Sequence, residues 1–189
     1  MPIHVDVGER RQSIAEATFR VAARHGMAGV TLRSVAAELG ASTTVITNYL
    51  PTRADLLVNA VDVLGSEWMD EVSEIRSRRD GIEALREVIR SAVDWDDGEL
   101  MRCQFWVAVM SSTNRTEEVD VHLAEASGRV RNVLEELLDE IGAPDPQSGA
   151  DMLFLFAQGV AASIVEAPDA WPRQRTVRAA DLALSAVVG

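Results

Sequence analysis

The tightest constraint on this chain is the tripeptide Gly40-Ala41-Ser42, which joins two apolar-patterned segments and is too short to do so except by a sharp corner. On its N-terminal side Leu32, Val35, Ala36 and Leu39 recur at helical spacing, with Thr31 as an N-cap and Gly40 as a stop. On its C-terminal side Ser42 offers a second N-cap, Thr43 to Tyr49 make about two turns, and Pro51 prevents continuation. Thr52 restarts the chain, with Asp55 three residues on to complete a capping box. Two short helices separated by three residues have the layout of a helix-turn-helix.

A helix as small as the second buries little, so its outward residues carry the interest. Thr43, Thr44, Thr47, Asn48 and Tyr49 give a hydrogen-bonding surface, while Val45, Ile46 and Leu50 can turn inward. In a major groove, hydroxyls and amides touch phosphates or base edges, and a Thr methyl meets a thymine methyl. The same residue types also gather in loops and caps for purely local reasons.

The segment from Arg10 to Leu57 resembles the N-terminal DNA-binding domain of TetR-family transcriptional regulators. An apolar first helix ends at a Gly in that pattern, as Ile14, Ala17, Phe19, Val21 and Gly26 do here; a Thr opens the second helix, as Thr31 does, with Val35-Ala36 inside it. Gly40-Ala41-Ser42 resembles the family's turn, Val45, Ile46, Thr47 and Leu50 match its recognition helix loosely, and Thr52, Arg53, Leu56 and Leu57 match its restart. Thr47 stands where an aromatic is usual, so a typical phosphate-contacting Tyr is missing and Tyr49 takes part of that role. Arg53 replaces the usual Lys and keeps the charge. Spacing, surface and resemblance together nominate Thr31, Arg33, Ser42, Thr43, Thr44, Val45, Thr47, Asn48, Tyr49 and Arg53 as DNA-binding residues.

A net charge of −12 at first argues against nucleic acid, but its distribution matters. Up to Arg53 six arginines face four carboxylates, Asp6, Glu9, Glu16 and Glu38, which makes this part +2 and leaves −14 for the rest. A mildly basic head on an acidic body orients docking, since only the head is drawn to phosphate.

The remaining pattern predicts an all-α fold of about nine helices. Residues 1–52 form a three-helix helix-turn-helix domain and 53–189 a helical ligand-binding and dimerisation domain. Residues 1–8 read as a lead, followed by helices over 9–25, 53–78, 82–95, 99–112, 116–141, 147–166 and 173–188 around the two short ones. The segment 99–112 is apolar nearly all round, which predicts burial. Uninterrupted apolar runs are too short to cross a membrane, and MPIHVDVGERR lacks the layout of a secretory signal, so a cytoplasmic protein is expected. The single Cys103 reads as a small buried hydrophobe. Asp94, Asp96 and Asp97 read as an acidic cap, not a metal site, and His122 as a satisfied structural histidine.

No nucleophile elbow, phosphate loop or metal-spaced His/Cys set appears, so neither an enzyme nor a cofactor is expected. The expectation is a repressor that binds a palindromic operator in double-stranded DNA and is released by a small apolar or aromatic effector. Helices 147–166 and 173–188 are apolar enough to meet their copies in a four-helix homodimer interface, and the resemblance implies the same. The C-terminal part resembles the BetI-like branch of the family. Trp68, Trp95, Phe105, Trp106, Met110 and Phe154 are candidate effector contacts, though each alone is also ordinary core. The rival reading keeps the fold and makes the head vestigial.

Overall fold

The structure, a computed structural model, describes residues 7–93 and 97–189. Among these residues the fold is all-α, with nine α-helices: α1 Val7–Gly29, α2 Leu32–Glu38, α3 Thr43–Thr47, α4 Arg53–Arg78, α5 Gly81–Ser91, α6 Asp97–Ser111, α7 Glu117–Glu140, α8 Pro146–Glu166 and α9 Arg173–Val188. One 3-10 turn, Pro168–Ala170, precedes α9. The expected helix over 82–95 closes at Ser91; Asp94, Trp95 and Asp96 lie outside the described residues.

Local chemistry sets the boundaries at the front of the chain. Gly26, at φ 65°, breaks α1 where a stop was expected, and one further turn follows it. Gly40, at φ 62°, takes the left-handed conformation that a side chain resists. Its N–H donates to the Ala37 carbonyl and the Ala41 N–H to the Ala36 carbonyl, both orphaned at the end of α2. Thr31 and Ser34 form a reciprocal capping box at the start of α2. Thr52 and Asp55 form another ahead of α4: the Thr52 N–H donates to Asp55 Oδ2 at 2.8 Å, and the Asp55 N–H to Thr52 Oγ1 at 3.1 Å.

The chain separates into two compact units. The first comprises residues up to Ser66 together with Gln104–Ala124, and the second Glu67–Cys103 together with Glu125–Gly189. These units do not divide at residue 52, because α4 is unbroken and its first turns bury Leu56, Leu57, Ala60 and Val61. In the first unit α1 packs on α2 and α2 on α3. Phe19 of α1 meets Phe105 of α6 edge-on, with centroids 5.0 Å apart, and Asn59 Nδ2 of α4 donates to the Arg11 carbonyl at 2.9 Å. His122 of α7 pairs with Asp62 of α4 at 2.9 Å, the structural role expected of it.

In the second unit Val72, Ile75, Leu85, Val88, Ile89, Leu134, Leu137, Leu138, Leu153 and Leu184 form one core. Cys103 is buried, and burial pushes its thiol pKa up to about 12. Helix α6 is less enclosed than its composition predicts: Cys103, Phe105 and Val109 are buried, Trp106 and Val107 half-buried, and Met110 exposed. The membrane expectation also needs correction, since α8 is long and apolar enough to cross a membrane by length and composition, with mean hydropathy 1.4. Runs of apolar residues stop at Gln158 and Gly159, whereas an average over the helix carries through them. Within the chain 28% of that stretch is buried, including Leu153, Val160 and Ala161, and α8 packs on α9.

Candidate nucleic-acid interface

Helix α3 is five residues long, and its inward anchor is Ile46, with no exposed surface. The Val45 N–H donates to the Ser42 hydroxyl at 3.4 Å and to the Ser42 carbonyl at 3.0 Å, which starts the helix. Leu50, also buried, follows it before Pro51. Inward apolar residues and caps therefore hold α3, and its outer residues are not needed for that purpose. Thr43, Thr44 and Asn48 are exposed, and Val45, Thr47 and Tyr49 half-buried. Thr31 and Ser42 are exposed caps with their hydroxyls engaged.

The arginines of this region divide into two sets. Arg20 Nε and Arg24 Nη1 each donate to the Glu38 carboxylate at 2.7 Å. The hydrogen bond from Arg20, helped by the charge of Arg24, holds the Glu38 carboxyl below its ordinary range against the opposing effect of desolvation. Arg53 Nε donates to the Val30 carbonyl at 2.9 Å and its Nη2 to the Met27 carbonyl at 2.8 Å, so much of this guanidinium holds the turn between α1 and α2. Arg33 is exposed on α2 with no recorded side-chain partner among the described residues. The surface is thus less basic than the count of arginines suggests. Sequence reasoning missed these pairings because the partners lie 14 to 26 residues apart.

The candidate effector contacts are divided between the two units. Phe105, Trp106 and Met110 belong to the first unit, and Phe105 is occupied by Phe19 in its core. Trp68 and Phe154 belong to the second unit, partly buried against its core, with the Arg131 guanidinium 5.9 Å from the Phe154 ring centroid. Trp95 lies outside the described residues. The second unit also has a recess of about 460 Å³, lined by Ile82, Arg86, Arg90, Asp181, Leu184 and Ser185 among others. None of the nominated residues lines it, and the bidentate Arg90–Asp181 pair occupies its polar side.

Residues 14–60 match the family of bacterial regulatory proteins known as the tetR family. The chain is 30% identical over 110 residues to the HTH-type transcriptional regulator PksA of Bacillus subtilis, covering 57% of this chain and 53% of that protein. It thus spans about half the length of that relative. It is 25% identical over 156 residues to the HTH-type transcriptional regulator BetI of Agrobacterium fabrum, covering 82% of this chain and 73% of that one. Among solved structures, a transcriptional regulator from Rhodococcus sp. Rha1 has a TM-score of 0.85 at 21% identity, covering 94% of this chain and 95% of its own. A regulator from Saccharomonospora viridis in complex with choline has a TM-score of 0.82 at 18% identity, covering 94% and 96%. The regulator FadR from Bacillus subtilis in complex with stearoyl-CoA has a TM-score of 0.75 at 18% identity, covering 94% and 97%. At these identities the structural likeness is one of fold.

Proposed function

Because the chain belongs to the TetR family of bacterial regulatory proteins, we propose that it is a homodimeric repressor that binds a palindromic operator and is released by a small apolar or aromatic effector. The observation that carries this reading is α3 itself: a capped helix anchored through Ile46, with Thr43, Thr44 and Asn48 exposed and not needed to hold it. Such a helix in each protomer enters successive major grooves when the two are one helical turn apart, about 34–36 Å. Residues 1–52 are assigned to DNA and 53–189 to effector and dimer. Thr43, Thr44, Val45, Thr47 and Asn48 face bases. Thr31, Arg33, Ser42, Tyr49 and the remaining Nη1 of Arg53 face phosphate.

Surface left open on the last two helices supports the dimer. Met152, Leu155, Gly159 and Ala162 form an exposed stripe at helical spacing along α8, and a Cβ added at Gly159 would meet nothing within 4 Å. Leu155 is 67% exposed, and Leu182 on α9 is 73% exposed. A second copy is a better cover for this stripe than lipid, because α8 already commits Leu153 and Val160 to the core. A cytoplasmic location follows from an operator as the partner.

Helix α4 contributes to both units without a break, which gives an effector a route to the head. A coupling of about 1–3 kcal/mol is enough for a useful switch. Trp68 and Phe154 in the second unit, and Trp106 and Met110 in the first, are the proposed places for apolar contact. Choline and stearoyl-CoA, bound by similar folds, differ too much to name the effector here.

The rival reading, a ligand-binding dimer with a vestigial head, is favoured by one observation: Arg20, Arg24 and Arg53 spend their donors on protein acceptors. Gel-shift titration of the full chain against DNA selected from a random duplex pool separates the two. The repressor reading expects binding that weakens steeply with salt. It also expects Thr44→Ala with Tyr49→Ala to remove binding while the dimer stays folded. Salt-independent or absent binding supports the vestigial head, and binding retained by the double variant overturns the assignment to α3.

A further inference from the structure

The middle of the α3 face is chemically unlike its edges. With successive residues about 100° apart, Thr47 falls between Thr43 and Thr44 on the outward arc. No hydrogen bond is recorded for the hydroxyls of the two outer threonines among the described residues, and both side chains are exposed. The Thr47 hydroxyl is different: it donates back to the Thr44 carbonyl at 3.2 Å, inside its own helix. A threonine whose hydroxyl is spent in this way has one other group on Cβ, the γ-methyl, and that apolar group is what the centre of the surface offers. The face therefore has a methyl group at Thr47 between the hydroxyls of Thr43 and Thr44, with the amide of Asn48 beyond Thr44.

We infer that Thr47 is a specificity-determining residue that selects thymine through contact between its γ-methyl and the thymine C5-methyl. The inference rests on the operator-binding reading and names what the centre of the interface prefers. In the major groove thymine presents a C5-methyl group beside its O4 acceptor, whereas cytosine presents a C5–H beside its amino donor. The Thr47 γ-methyl gains from meeting the thymine methyl and finds only a hydrogen at the same carbon of cytosine. The flanking hydroxyls and the Asn48 amide supply hydrogen bonds to neighbouring edges and phosphates, so the methyl pair adds selectivity to a contact made by others.

The test uses the full-length dimer and a duplex enriched by it from a random pool. Each thymine of that duplex is replaced in turn by deoxyuridine, which removes the C5-methyl and leaves the base pair and its hydrogen-bonding groups intact. At one thymine in each half-site the replacement is expected to weaken binding about fourfold, the worth of one buried methyl-sized group. Thr47→Val, which keeps a methyl and lacks the hydroxyl, retains this sensitivity. Thr47→Ser, which keeps the hydroxyl and lacks the methyl, loses it. Equal binding of every deoxyuridine duplex overturns the inference while leaving operator binding in place, as does a loss of the same size in Thr47→Ser. A pool from which nothing is enriched overturns both readings.

Discussion

Helix α3 has five residues and encloses Ile46 completely, whereas α8 has 21 and leaves Leu155 two-thirds in the open. The short helix is held by a cap, one enclosed side chain and the neighbouring Leu50, and what faces away from them is polar. The long helix has more apolar surface than its own unit covers. Its hydrophobic residues fall on more than one face: Leu153, Val160 and Ala161 turn into the core, while Met152 and Leu155 do not. The difference separates what folding requires from what it leaves over. On α3 the remainder is hydrogen-bonding and suits a wet, charged partner; on α8 it is apolar and suits a second protein surface.

The sharpest way to break this comparison is to make the α8 and α9 surface polar. Leu155→Glu with Leu182→Glu should weaken self-association more than a thousandfold, since each protomer loses two large apolar contacts worth about 1.5–3 kcal/mol apiece and the interface repeats them. Both residues are exposed in the chain, so helicity by circular dichroism should be unchanged, and sedimentation should report a monomer. A dimer of undiminished affinity would remove α8 and α9 from the interface.

Next in size is the anchor of α3. Ile46→Ala should cost about 3 kcal/mol by opening a cavity in the head, read as a lower denaturant midpoint. Thr44→Ala, an exposed neighbour two residues away, should stay within about 0.5 kcal/mol of the parent. Equal losses at both positions would mean that the outer face of α3 also supports the fold.

The smallest effect belongs to Glu38. Its carboxyl titrates below the ordinary range in the folded head, because Arg20 and then Arg24 favour its charged form. A group with a depressed folded pKa stabilises above its unfolded pKa and loses that contribution as pH falls through the folded value. Glu38→Gln should therefore flatten the acid limb of the stability curve and leave the neutral-to-alkaline limb parallel to the parent. A variant whose curve keeps the same acid slope would show that the ion pairs carry none of the head's pH dependence.

Sequence alone gave access to signals that act within a turn or two. The Thr31 cap, the Thr52–Asp55 capping box, the stops at Gly26 and Gly40, and the periodicity of α4 and α7 were legible because each is decided by neighbours. Less legible was anything decided by a remote partner. Arg53 reads as a free cation until the carbonyls of Met27 and Val30, 26 and 23 residues back, are brought to it. Arg20 and Arg24 read as a basic face until Glu38 takes both. The aromatic residues proposed as one pocket share a composition signal but not a unit, since periodicity reports which face is apolar and not what that face meets.

The enclosed thiol of Cys103 has a practical corollary. A sulfhydryl that is buried, and ionised only near pH 12, reacts slowly with maleimides and methanethiosulfonates at neutral pH. With no competing cysteine in the sequence, one introduced at solvent-facing Ala37 on α2 would take a spin label or fluorophore alone. The native background is therefore already suited to a spectroscopic ruler between the two heads of the proposed dimer.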